Sequence, residues 1–179
     1  MKFESKQSMP AFSILDINGN EISNATLKGE KAYFVFNRFA GCPICNLRFH
    51  QIENEKDFFE SKKVNVVTFY ETSLSILREY VSGEMINSAM VASPGSSIYK
   101  TFGVERSWLK FIKGLFKGGF SKAAQGQKLF KKKIKMDGNS DRVGAEFLID
   151  ENGVIILAHY HRFVGDHLPV DKIKELFSK

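Results

Sequence analysis

Cysteine is scarce in this 179-residue chain: Cys42 and Cys45 are the only two. A secreted scaffold held by several disulfides is thereby excluded, since such folds use bridges to replace a small core. Proline is also rare, at four residues, and no repeat or low-complexity stretch occurs, so a fibrous or disordered chain is excluded too. No apolar run approaches the roughly 20 residues that a membrane-spanning helix needs. The opening MKFESKQSMPAFSILD lacks the continuous apolar centre of a secretory signal. The expected compartment is therefore the cytoplasm, where thiols are mostly kept reduced.

Hydrophobic residues make up 43% and charged residues 26%, which is the composition of a globular chain with its own core. The length predicts one domain, 1–179. Seventeen phenylalanines predict that aromatic packing dominates that core. The net charge of +6 is uneven: Glu105 to Lys135 holds ten basic residues and one acidic, and the remainder is net acidic.

Residues 10–31 read as a preliminary hairpin, with AFSILDINGNEIS turning at Asn18-Gly19. KAYFVFNRF is a buried central strand. A helix follows the cysteines, with Cys45, Phe49, Ile52 and Phe59 near one face. VNVVTFY is a second buried strand, and SLSILREYVSG a helix with Ser73 at its N-cap and Gly83 at its stop. SAMVAS is a short strand, SSIYKTFG a short helix, and AEFLID with VIILAHYH a hairpin through Glu151-Asn152-Gly153. PVDKIKELFSK closes the chain as a helix. This order predicts an α/β fold: a mixed central sheet covered by helices on both faces, with an N-terminal β-hairpin extension and a basic helical insertion over 105–135.

A Cys-x-x-Cys between a buried strand and a helix puts Cys42 at the helix N-terminus, where free N–H groups and the dipole favour a thiolate. Pro43 suits the first turn. Cys45, one turn on, is expected to be the more enclosed thiol. The pair can cycle between dithiol and disulfide, with Cys42 attacking and Cys45 resolving. The other readings are two inert buried thiols, or a metal site, which would have to recruit histidines such as His50.

These residues carry a resemblance. MPAFSILDINGNEISNATLKGEKAYFVF, NSAMVASPGSSIYKTFGV and AEFLIDENGVIILAHYHR, in that order, resemble the alkyl hydroperoxide reductase/thiol-specific antioxidant branch of the thioredoxin-like superfamily, the peroxiredoxins. The GCPxC of Gly41–Cys45 and the Ala158–His167 element are similar to one peroxiredoxin-like subgroup, with Leu168 inserted before Pro169. The resemblance implies a thioredoxin-like fold and a thiol-dependent oxidoreductase. Its substrate would be a peroxide or a disulfide, its reductant a thioredoxin-like protein, and no cofactor is needed. It also implies an arginine beside the thiolate, for which Arg142 and Arg38 are the candidates. Val35 and Phe39 occupy the places of the family's proline and hydroxyl residue, Ser93 that of an aspartate, and Val143-Gly144 that of a thioredoxin's cis-proline.

Other features are open to two readings. His159 and His161 share a strand face, with Asp166 and His167 nearby, as metal ligands or as a polar hairpin edge. Trp108, Phe111, Ile112, Leu115 and Phe116 form one helical face, and Lys110, Lys113 and Lys117 lie off it. That pattern suits docking on an anionic surface or a partner, or packing against the domain as an inserted helix. The Lys131–Lys135 cluster has no groove motif beside it, so no specific nucleic-acid partner is expected. A non-catalytic alternative is a redox-responsive binding module that docks through this basic segment. Oligomeric state is not encoded in any of these features.

Overall fold

The computed structural model describes residues 1–82, 86–130 and 135–179. The apolar run Lys31–Phe36 forms β3, the centre of a five-stranded sheet of order β5-β4-β3-β6-β7. β4 (Val64–Tyr70) and β5 (Ala89–Ala92) run parallel to β3. β6 (Ala145–Ile149) is antiparallel to β3, and β7 (Ile155–Tyr160) antiparallel to β6. A separate hairpin of β1 (Ser13–Leu15) and β2 (Glu21–Ser23) precedes them, with Gly19 in the left-handed conformation at its turn. The fold is the expected thioredoxin-like one.

Strand alternation divides the core. Phe34 and Phe36 point to one face, among Phe69, Tyr99, Phe102 and Phe147. Tyr33 and Val35 point to the other, among Ile52, Phe59, Leu148, Ile173 and Phe177. Helices α1 (Pro43–Glu53), α2 (Lys56–Ser61) and α7 (Val170–Phe177) supply the second group. Helix α4 (Ser97–Thr101) and the turn after it supply the first. A third cluster, beyond the end of β3, surrounds the two cysteines and includes Leu77 and Tyr80 of α3 (Leu74–Val81).

Two segments differ from the sequence expectation. The helix after the cysteines breaks at Asn54-Glu55, and the turn brings Phe59 into a stack on Tyr33 with ring centroids 5.8 Å apart. The basic segment is a bent pair of helices rather than one amphipathic helix. It comprises α5 (Trp108–Gly114), a π-helical stretch (Leu115–Gly119) and α6 (Phe120–Leu129). Lys117 and Gly118 leave helical geometry at the bend, Gly118 with φ +89°. Its apolar residues also split: Phe111 packs inward on the cysteine cluster, while Trp108, Ile112 and Phe116 are exposed. The expected stop at Gly83 and most of the lysine cluster, 131–134, lie outside the described residues. Among the described residues no helix is long and apolar enough to cross a membrane.

Candidate active site

The chain leaves β3 through Asn37-Arg38-Phe39-Ala40 and turns at Gly41, whose φ of +74° suits a residue without a Cβ. Cys42 is the N-cap of α1, with extended backbone and Pro43 as first helical residue. Its carbonyl accepts from the Asn46 N–H at 2.9 Å, the first bond of the helix. Both cysteines are free thiols. Both are also buried, so enclosure does not distinguish them as the sequence suggested.

Electrostatics do distinguish them. The neighbouring Cys45 thiol, acting as donor toward the Cys42 sulfur, lowers the Cys42 pKa more than any other group. Burial opposes this, and the Arg38 charge and the backbone N–H groups of Cys45 and Ile44 reinforce it. Cys42 is brought from the ordinary 9.0 to about 6. Cys45 moves the other way: burial pushes its thiol well above 9.0, and the neighbouring Cys42 pushes it further. One thiolate beside one thiol is the arrangement that attack followed by resolution requires. Cys42 alkylation by iodoacetamide should therefore rise with a midpoint at about pH 6 and level off well below 9.0. A rate still climbing towards 9.0 would contradict the assignment.

Arg38 is the arginine the fold brings to this sulfur. Its Nη1 lies 3.6 Å from Cys42 Sγ, its Nη2 donates to the Ser140 carbonyl, and its guanidinium sits 4.9 Å from the Phe111 ring centre. Its Nε is buried with no hydrogen-bond partner among the described residues. Arg142 is engaged elsewhere. Nε and Nη2 donate to Glu71 at 2.9 and 2.8 Å, and Nη1 donates to the Val104 carbonyl at 2.8 Å. Glu71 also accepts from Ser96 and Asn139, so this ion pair is fully hydrogen-bonded. Phe39 packs in the cysteine cluster, so no side-chain hydroxyl is available from that position.

The sequence reading missed a second buried polar group. Glu146, on β6, accepts from Arg48 and Tyr33, each at 2.7 Å, through one oxygen. Its other oxygen meets His167 Nδ1 at 2.9 Å and His161 Nε2 at 3.3 Å. Burial alone would raise the Glu146 carboxyl, but the Arg48 charge and the two imidazoles hold it well below its usual range. Burial likewise lowers both histidines, His167 to about 3. The network is thus an ion pair with two neutral imidazoles. A narrow cleft lined by Cys45, Gly144, His161 and His167 joins it to the dithiol. The polar-edge reading of His161 is corrected: it is buried. Asp166 is held by Arg162 instead, through bonds of 2.9 and 3.0 Å. Glu146, His161 and His167 are the one trio among the described residues with ligand-type atoms within 4.8 Å of one another. Arg48 already neutralises that carboxylate and would repel a divalent cation.

Residues 6–158 match the AhpC/TSA family. The chain belongs to the AhpC/TSA family. It is similar in fold to peroxidoxin BcpB from Mycobacterium tuberculosis, with a TM-score of 0.71 at 13% identity, over 98% of this chain and 97% of that one. It is similar to AhpC of Enterococcus faecalis, at 0.70 and 14%, over 99% and 92%. The thioredoxin domain of a thiol-disulfide oxidoreductase from Bacteroides vulgatus gives 0.62 and 12%, over 99% and 97%. No curated protein matches. Membership, with the paired cysteines, makes this AhpC/TSA chain a thiol oxidoreductase.

Proposed function

We propose that the protein reduces a small peroxide through its Cys42/Cys45 couple, in antioxidant defence and in a reducing cytoplasm. The observation that supports this is the Arg38 guanidinium, 3.6 Å from the Cys42 sulfur, whose Nε has no hydrogen-bond partner among the described residues. The Cys42 thiolate attacks one peroxide oxygen and the O–O bond breaks. The leaving oxygen departs as water or alcohol once protonated, and Arg38 can donate a hydrogen bond to it. Cys42 becomes a sulfenic acid, two electrons oxidised. Cys45 loses its proton, attacks that sulfur and releases hydroxide as the S–S bond forms; proton and hydroxide together make one water. An external dithiol, such as a thioredoxin-like protein, restores both thiols by exchange.

Disulfide reduction is the second reading, favoured by the absence of a side-chain hydroxyl at Phe39. The test is steady-state turnover with a thioredoxin system, supplying hydrogen peroxide, an alkyl hydroperoxide or a protein disulfide in separate assays. Consumption of a peroxide that is lost in Cys42→Ser is expected. Turnover of the disulfide alone would replace this reading with the second.

A further inference from the structure

The α5–α6 segment has an inner and an outer side of different character. The inner side is fitted by close backbone approach. A Cβ on Gly126 would lie 1.8 Å from the Pro43 carbonyl oxygen, and one on Gly114 2.6 Å from the Val164 carbonyl oxygen. Phe111 and Ala123 join the apolar cluster of Cys42 and Cys45. The outer side is apolar and solvent-exposed. Trp108 is 56% exposed, Leu109 82%, Phe116 83% and Phe120 68%, with Ile112 also exposed. By helical spacing Trp108, Ile112, Phe116 and Leu109 span an arc of roughly 100°, with Lys113 and Lys117 beside it. No acidic residue occurs between Arg106 and Met136.

We propose that this outer side is a docking surface for an anionic lipid bilayer. Aromatic and aliphatic side chains bordered by lysines match the boundary between acyl chains and negative headgroups. The charge is placed for this use. Lys113, Lys117 and Lys128 are exposed, whereas Lys110 is committed to Glu105 and Lys122 to the Gly165 carbonyl. A second copy fits less well, because a two-fold contact would set lysines against lysines. Phe116 and Phe120 flank the bend at Lys117-Gly118, and both are exposed. Because the inner side touches the cysteine cluster, docking would hold the dithiol about one helix diameter, roughly 10 Å, from the lipid. The inference stands independently of which oxidant the cysteines use.

Trp108 is the only tryptophan, so its emission reports the docking surface directly. The full-length protein is mixed with phosphatidylcholine vesicles, and with vesicles that also contain phosphatidylglycerol. The expected result is co-sedimentation and a blue shift with the anionic vesicles only, both fading with salt. Each exposed lysine near an anionic surface contributes roughly fivefold in partition, so Lys113→Gln/Lys117→Gln/Lys128→Gln should bind on the order of 10²-fold more weakly. Phe116→Ser/Phe120→Ser should also weaken binding and reduce the shift. Unchanged Cys42 alkylation in both variants shows that they fold. No binding at low salt overturns the proposal. So does binding without a Trp108 shift, or binding insensitive to the phenylalanine variant, since either indicates adhesion by charge alone. Concentration-dependent self-association that blue-shifts Trp108 without lipid would assign the surface to a second copy instead.

Discussion

Cys45→Ser should abolish peroxide-dependent turnover while leaving the first chemical step intact. The serine hydroxyl can still donate a hydrogen bond to Cys42, the contact that lowers its pKa most. Cys42 should therefore keep its reactivity near neutral pH and accumulate as a sulfenic acid that dimedone traps. Cys45→Ala should differ. It removes the donor, so the Cys42 pKa moves back towards 9.0, and each unit costs roughly tenfold in thiolate below the pKa. Alkylation at neutral pH should fall by about that factor or more. Equal alkylation rates in the two variants would show that the Cys45 thiol does not tune Cys42. A mixed disulfide in Cys45→Ser without any sulfenic acid would move the protein to disulfide exchange.

The largest stability effect is expected at Glu146. Among the described residues its carboxylate is the only acid paired with Arg48, and both side chains are almost completely buried. Glu146→Gln leaves the guanidinium buried beside a neutral amide, and breaking a buried pair from one side costs about 3–5 kcal/mol. For a chain of this size that lowers Tm by on the order of 10 °C. Tyr33, His161 and His167 lose a charged acceptor in the same substitution. Removing both charges, as Arg48→Met/Glu146→Leu, should cost less than Glu146→Gln alone. Thermal unfolding of the three proteins decides it. A single-variant loss below about 1 kcal/mol would mean that the cluster is solvated and the ion pair weak.

The local part of this design is legible in the sequence. Gly41, Cys42, Pro43 and Cys45 lie within five residues, and strand-then-helix spacing alone places Cys42 at the helix start. The strands read well because Tyr33, Phe34, Val35 and Phe36 are apolar on both faces, as a central strand demands. The Glu146 network was not legible, since its members come from β3, α1, β6 and the loop after β7, and only the fold unites them. Nor could periodicity choose between Arg38 and Arg142. Both are buried, and what separates them is that Glu71 takes two of the Arg142 nitrogens in an ion pair, whereas Arg38 lies beside the Cys42 sulfur. Helical spacing found an apolar face on the basic segment but not its direction. Gly114 and Gly126 set that by letting the opposite side approach the domain's backbone.

The central claim is that Cys42 and Cys45 form one two-electron redox couple. The most direct measurement is to treat the fully reduced wild-type protein with one equivalent of hydrogen peroxide, quench with alkylating agent and map the peptides by mass spectrometry. The account predicts loss of two thiols for each peroxide consumed and an intramolecular Cys42–Cys45 disulfide that an external dithiol reverses. Persistence of both free thiols while peroxide remains, or oxidation of Cys42 with Cys45 still alkylatable, would contradict it.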